Sequence, residues 1–385
     1  MDIKEIKDKF KKVFGREAAS VFFAPGRANL IGEHTDYNGG HVFPCALSFG
    51  TYLAASKRSD GKVNFYSLNF EKEGIISADI NSLVKENKWA DYPKGVLEMF
   101  KRAGNIINTG FDALYFGNVP NGAGLSSSAA LEVVTAVMIN DFYGFGHNLI
   151  ELAQLSQQAE NKFVGMNCGI MDQFASAMGK QDNAILLDCN TLEYSYCPIK
   201  LQGISILIAN TNNNHKLTGS EYNTRRSQCE QALKRIQTKL DIKCLCEVKP
   251  EQLDKVKGLI NDELLFRRAR HAITEDARTI QAVALLKKGD LEGFGKLMNA
   301  SHKSLKEDYE VTGKALDTMA AALQKCESVL GARMMGGGFG GCCIALVKNE
   351  FLKTVQEQTG KEYFGIMNIK PDFYIAQIGA GARKL

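Results

Sequence analysis

Residues 120–132 read P-N-G-A-G-L-S-S-S-A-A-L-E, and the reading of this stretch decides the fold. Before it, Phe111 to Val119 alternates, with Leu114 and Phe116 on one face, and after it an apolar run extends from Ala129 to Ile139. That order predicts a strand, a glycine loop and a helix. Such a loop is suited to phosphate. Gly122 and Gly124 let the backbone approach a ligand closely, and the first amides of the helix lack intrahelical acceptors and carry the positive end of its dipole. The hydroxyls of Ser126, Ser127 and Ser128 lie at the same terminus, where they can donate to phosphate oxygens or ligate a hard cation such as magnesium. The same residue types also suit an ordinary cap and turn. The lysine of G-x-x-x-x-G-K-[ST] is absent and the spacing is not G-x-G-x-x-G, so other segments must supply positive charge and metal ligands to any nucleotide held here.

A chain of 385 residues is long for one core and predicts two or three domains. Its net charge of +4 is mild, and no dense Lys/Arg block with interleaved aromatics is present, which argues against nucleic acid as a partner. Ile3, Ile6, Phe10, Val13 and Phe14 recur at helical spacing among charges, which predicts an amphipathic helix packed on its own domain. The N-terminus has no apolar secretory core, and no stretch approaches the ~18 apolar residues of a membrane span. A cytoplasmic, monomeric protein without membrane contact is expected. Ten scattered cysteines without a C-x-x-C pair fit reduced, mostly buried thiols, and Cys244 and Cys246 lack the second pair of a zinc site.

Residues 21–47 form the second informative stretch. V-F-F-A and H-V-F-P-C-A-L read as strands, and the turn between them carries Arg27, Glu33, His34, Asp36 and Tyr37. Three readings fit this polar cluster. It can be a hairpin whose side chains cap their own backbone, a metal site of Glu33, His34, Asp36 and His41, or a polyol site in which carboxylates accept hydroxyl hydrogens with support from His and Tyr.

The run G-R-A-N-L-I-G-E-H-T-D-Y-N-G-G (26–40) resembles the galactokinase signature. The chain as a whole is similar to a superfamily of small-molecule kinases, the GHMP kinases, that also contains homoserine, mevalonate and phosphomevalonate kinases. Residues 120–132 resemble its phosphate loop, and R-M-M-G-G-G-F-G-G-C-C-I-A-L (333–346) resembles its glycine-rich third motif. Three lesser blocks, at 159–174, 219–230 and 270–279, match galactokinases in particular, and the resemblance spans essentially the whole chain.

The resemblance implies an α+β GHMP kinase fold of two domains, with the site in the cleft between them. The N-terminal α/β domain would span residues 1–204 and the C-terminal α+β domain residues 205–385. It also implies ATP-dependent phosphorylation of the C1 hydroxyl of D-galactose, giving galactose 1-phosphate and ADP. Gly122, Ala123, Gly124, Leu125, Ser126, Ser127 and Ser128 would hold the ATP phosphates, and Ser67 would border the nucleotide. Ser128 and Glu160 would ligate Mg2+, which keeps several waters and takes only one or two protein oxygens. Glu33, His34, Thr35, Asp36, Gly169 and Tyr222 would hold the sugar, Asp172 would accept the hydroxyl proton, and Arg27 would lie beside Asp172 and the migrating phosphoryl group.

Read without that resemblance, Glu160 is an exposed carboxylate ending a helix, Asp172 a helix start, Trp89 a packing residue, and K-V-N-F-Y-S-L-N-F an edge strand. Arg225 and Arg226 are either helix-surface charges or neighbours of the phosphates. Arginine beside a carboxylate weakens it as a base, so the pairing of Arg27 with Asp172 sets an orienting role for Asp172 against a basic one. Two other activities fit the same motifs. One is an N-acetylgalactosamine kinase, and the other a non-catalytic galactose sensor, whose members lack residues of the Ser-Ser-Ala stretch that is intact here.

Overall fold

The computed structural model describes residues 2–120, 124–213 and 218–385, so Gly122 and Ala123 of the loop lie outside the described residues. The strands run β1 (Ser20–Asn29), β2 (His41–Val42), β3 (Pro44–Lys57), β4 (Lys62–Ser67), β5 (Ile76–Asp79), β6 (Phe111–Gly117) and β7 (Asn183–Asp188). They continue as β8 (Tyr194–Pro198), β9 (Ile204–Asn210), β10 (Val329–Met335), β11 (Cys342–Lys348), β12 (Asp372–Ile375) and β13 (Arg383–Lys384). The helices are α1 (Ile3–Phe14), α2 (Asp91–Arg102), α3 (Ser127–Tyr143), α4 (Leu149–Ala159), α5 (Met171–Met178) and α6 (Thr218–Ile236). Beyond them come α7 (Leu253–Ile260), α8 (Glu263–Lys287), α9 (Leu291–Ser304), α10 (Gly313–Gln324) and α11 (Leu352–Met367).

The N-terminal helix forms as its spacing predicts. Asp2 caps it by accepting from the Glu5 amide, and Ile6 and Phe10 are buried against Val21, Ala54 and Leu114. The first sheet has the order β13-β1-β3-β6-β4-β5, so the last residues of the chain return to its edge beside β1. Strand β4 lies inside this sheet, parallel to β6 and antiparallel to β5, and is not the edge strand its alternation suggests. Alternation reports which face is buried and not which edges are paired. Helices α2 to α5 cover one face, where Phe22, Leu53, Phe65, Val96, Phe111, Val133 and Leu152 share a core.

The second sheet, β10-β11-β9-β12, is antiparallel throughout, and its core includes residues of α6, α7, α8 and α10. A third core joins the halves: Leu30, Ile31 and Phe43 of the signature segment pack with Ile206, Ile208, Ile344 and Leu346 of the second sheet. Each such side chain, fully buried, stabilises by ~1.5–3 kcal/mol, which anchors the signature segment between the sheets.

A register shift between Pro25 and Arg27 interrupts the β1–β3 ladder. A bulge of this kind re-aims a side chain, here Arg27. Gly26 at the shift has no room for a side chain, because a Cβ there would lie 2.6 Å from the Leu125 carbonyl oxygen. The Arg27 amide donates to that same carbonyl at 3.2 Å. The bulge and the glycine–serine loop are therefore clamped together through backbone at Leu125.

Candidate active site

A cavity of about 370 Å³ opens where the loop after β6, the turn after β1, the segment before α5 and the turn between β10 and β11 converge. It is lined by Arg27, Glu33, His34, Asp36, Gly169, Asp172 and Tyr222, together with Gly124 to Ser128 and Glu160. The structure thus gathers into one space nearly every described residue expected to meet substrate. Arg27, which is 3% exposed, donates from Nε to Asp172 Oδ1 at 2.8 Å and from Nη2 to Asp172 Oδ2 at 3.1 Å. Its Nη1 donates to the Gly124 carbonyl at 2.8 Å. Ser126 is in the left-handed region, with φ 58°, and makes no capping bond to the helix it precedes. Its hydroxyl instead donates to Asp172 Oδ2, so this serine serves the site and not the cap.

The glycine-rich turn 336–341 closes one side. A Cβ on Gly336 would lie 3.2 Å from the Gly124 carbonyl oxygen and 3.6 Å from Arg27 Nη2, so the turn rests on both. The Gly336 amide donates to Glu33 Oε1 at 2.7 Å, and Arg333, fully buried, approaches the same oxygen at 3.4 Å. Burial raises the Glu33 carboxyl above the usual range, while Arg333 and Arg27 oppose the shift. Asp36 is pushed up to about 7 by burial first and by the charge of Asp172 next. Gly169 exists to seat it, since a Cβ there would lie 2.0 Å from Asp36 Oδ2. Tyr222 packs its ring 5.5 Å from those of His34 and Tyr37. Thr35 does not line the cavity. Its hydroxyl donates to the Gly32 and His41 carbonyls, which ties the signature turn to itself. His41 pairs with Asp276 on α8 at 2.9 Å, so the reading of a metal cluster in this turn fails, and no His/Cys/Asp/Glu metal group occurs among the described residues.

Glu160 is 7% exposed, against the reading of a solvent-facing helix end, and it opens a π-helical turn, Glu160–Val164, after α4. Turns of this kind recur at functional sites. Ser128 lines the same cavity beside the Glu160 carboxylate, and its hydroxyl opposes the rise that burial imposes on that group. Glu132, one helical turn beyond Ser128, is fully buried, and its Oε1 has no partner among the described residues. The Gln173 amide donates at 2.9 Å to Glu132 and at 2.7 Å to Glu160. Burial raises both glutamates, and carboxylate charge nearby adds to the shift. A buried pair of carboxylates with a hydroxyl beside it and, among the described residues, no cationic side chain paired to either fits a divalent cation that keeps most of its water.

A second cavity, of about 210 Å³, shares Ser127 and Ser128 with the first. It is lined by Ser67, Asn69, Phe70, Trp89, Tyr92, Tyr115 and Leu131. The Trp89 ring stacks on Phe70 at 15° and 6.4 Å, and its buried Nε1 has no partner among the described residues. Trp89 packs against the core of the first sheet, as its sequence reading has it, and also lines this cavity. The sequence signals for this wall, one Trp in W-A-D-Y-P-K-G and one Phe in S-L-N-F, lie on separate segments that only the fold brings together. Glu132 and Gln173 were legible in part: a lone carboxylate in an apolar helical run, four residues after Ser128, shares its face. Arg225 and Arg226 go to structural duties. Arg225 Nε donates to the Tyr309 carbonyl at 2.7 Å, and Arg226 lies over the Tyr37 ring.

The family model described as the galactokinase galactose-binding signature matches residues 8–57, and the GHMP kinase N-terminal and C-terminal models match residues 91–180 and 282–360. The chain is 52% identical to a galactokinase of Ligilactobacillus salivarius, over the whole of both chains. The solved structure of Lactococcus lactis galactokinase complexed with galactose is 47% identical, superposes with a TM-score of 0.97 and covers all of both chains. Methanococcus jannaschii mevalonate kinase, at 18% identity, TM-score 0.65 and coverage of 93% of this chain and 98% of that one, shares the fold. With half its residues shared over its full length, the chain belongs to the galactokinase family.

Proposed function

We propose that the first cavity takes D-galactose and the second the adenine end of ATP, with the phosphates on the loop between them. The chain is a sugar kinase that moves the γ-phosphoryl group of ATP to the C1 hydroxyl of galactose. The observation that carries the residue assignment is that the two cavities share Ser127 and Ser128 at the start of α3, and that the Arg27–Asp172 pair lines the first of them.

Phosphoryl transfer asks the protein mainly for positioning and charge stabilisation. Glu33 and Asp36 would accept hydrogen bonds from sugar hydroxyls, Gly169 would present its backbone, and Tyr222 would cover the ring. Asp172 would accept the C1 proton. Its two oxygens offer about four lone-pair sites, of which Arg27 and Ser126 occupy three, which leaves Oδ1 one to spare. Arg27 weakens this base, but an anomeric hydroxyl is more acidic than an ordinary alcohol, and a loose transition state needs the proton removed only late. The same guanidinium would stabilise charge on the transferring group. Mg2+ would be held by Ser128 and Glu160, where it would neutralise negative charge on the phosphate oxygens.

The test is ADP release by purified protein with Mg-ATP and galactose, N-acetylgalactosamine, glucose or no sugar at equal concentrations. Turnover confined to galactose supports the assignment. Preference for the acetamido sugar would leave the site and overturn the substrate, and galactose binding without turnover would overturn catalysis itself.

A further inference from the structure

His34 keeps one ring nitrogen in reserve. Its Nδ1 lies 2.7 Å from the Tyr37 hydroxyl, that hydroxyl lies 2.8 Å from the hydroxyl of Tyr309, and Tyr309 lies 3.1 Å from the Cys229 thiol. Tyr309 and Cys229 are buried, on the π-helical turn Leu305–Tyr309 and on α6. His34 is 4% exposed and lines the first cavity, and its Nε2 makes no hydrogen bond among the described residues, although the Gly337 backbone of the glycine turn lies near enough to the ring to favour a proton on it. Burial lowers the His34 imidazole to about 3, so the ring is neutral at working pH.

A neutral imidazole has one N–H and one lone pair, and the bond made by one nitrogen decides which of them the other presents. The row of hydroxyls could run in either direction. A phenol O–H is the more acidic donor, and a bare imidazole nitrogen is a stronger acceptor than a phenol oxygen. The favoured direction therefore ends on the ring: Tyr309 donates to Tyr37, and Tyr37 donates to Nδ1. Successive hydroxyls pointing the same way strengthen one another. Tyr309 is held for this by its surroundings, with Arg225 on its carbonyl at 2.7 Å and the His271 ring 4.5 Å from its own. His271 is committed elsewhere, to Ser304 and to the Glu33 carbonyl.

We infer that the Tyr309–Tyr37 relay holds His34 as the tautomer carrying hydrogen on Nε2, so that His34 donates to an oxygen of the sugar while Glu33 and Asp36 accept from its hydroxyls. The inference rests on the assignment of the first cavity to the sugar. It makes Tyr37 and Tyr309 positioning residues that set the polarity of one recognition contact, and it divides the sugar's oxygens into those read as acceptors and those read as donors.

The full-length protein labelled with 15N-histidine reads the tautomer directly, without sugar, with the His34 signals assigned by their loss in His34→Gln. A protonated Nε2 and a bare Nδ1 are expected, and hydrogen on Nδ1 would overturn the inference. Binding of deoxy and fluoro analogues of galactose reads the contact, because fluorine can accept a hydrogen bond but cannot donate one. At one ring position the fluoro sugar is expected to bind about fivefold tighter than the deoxy sugar, the worth of one modest hydrogen bond. In Tyr37→Phe, which takes the donor away from Nδ1, that gap should close. A gap at no ring position, or one that survives in a folded Tyr37→Phe, would sink the sugar contact even with the expected tautomer. Failure of every sugar to bind would sink the cavity assignment instead, and the histidine spectrum separates the two failures.

Discussion

Arg27 meets Asp172 with two nitrogens, at 2.8 and 3.1 Å, and meets the phosphate loop at Gly124 with the third. One guanidinium thereby sets the distance between the expected proton acceptor and the expected phosphoryl donor. Asp172→Asn is expected to keep the fold and lower kcat by about 10²–10⁴, the range of general-base removal, with a smaller change in the galactose KM. Nearly full turnover at saturating galactose would reduce Asp172 to an orienting group. Arg27→Lys keeps the charge but loses the fork and is expected to lose at least about tenfold in kcat.

Gly169→Ala tests the seat of Asp36. The added methyl would press on Asp36 Oδ2, at 2.0 Å in the present geometry. The galactose KM is expected to rise by about tenfold or more, in line with the loss of one hydrogen bond to a charged group, while the ATP KM stays within about twofold. An unchanged galactose KM would remove Asp36 from the sugar contacts.

The second cavity makes the opposite prediction. Base–aromatic stacking is worth ~1–3 kcal/mol, so Trp89→Ala is expected to raise the ATP KM by about five- to a hundredfold and leave the galactose KM alone. Equal effects on both substrates would mean that Trp89 supports the fold and not the nucleotide.

Metal removal addresses Glu160 and Ser128. Chelation of divalent cations is expected to abolish turnover. Glu160→Gln should raise the Mg2+ concentration for half-maximal activity by about tenfold or more, the cost of losing one charged ligand. Titration of Mn2+ by its paramagnetic signal in the presence of ATP reads the same loss without turnover. A wild-type metal requirement in the variant would place the cation elsewhere.

Asp36 carries the pH prediction. Its carboxyl is raised to about 7, so the folded chain holds the proton more tightly than the unfolded chain does. Such a group contributes stability that is full below the ordinary carboxylate range and is lost as pH rises through about 7. In the absence of substrates, melting temperature is expected to fall as pH rises from about 4 to about 7 and to level off above, and Asp36→Asn should flatten part of that fall, with the raised Glu160 keeping the rest. Calorimetry across this range decides it, and a variant with the wild-type slope would contradict the assignment.

The site was legible to the extent that its chemistry lies on contiguous residues. Residues 26–40, 120–132 and 333–346 each carry a local pattern, and Arg27, Glu33, Asp36, Ser126 and Asp172 all meet where those patterns point. Thr35 sits inside the signature yet spends its hydroxyl on the turn, because two carbonyls three residues before it and six after it face it. Spacing does not show which way a turn residue points. Tyr309 and Trp89 carry no motif of their own, Gln173 and Arg333 sit inside matched blocks that assign them no role, and all four count only through partners 13 to 300 residues away in the chain, as in the bonds from Gln173 to Glu160 and from Arg333 to Glu33.

Sequence by itself determined the elements and their chemistry: the helix of residues 3–14, the strand, loop and helix around residue 120, the glycine turn before Cys342, and the family that follows from their order. These depend on periodicity, glycine freedom and helix ends, which act over a few residues. Tertiary structure alone decided that β4 is interior, that the chain's end closes the first sheet, that two cavities meet at Ser127 and Ser128, and that buried Glu132 and Glu160 face each other across Gln173. Each of those depends on burial and on charge held at short range between distant segments, and the cost of burying a carboxylate exists only once the surrounding core has formed.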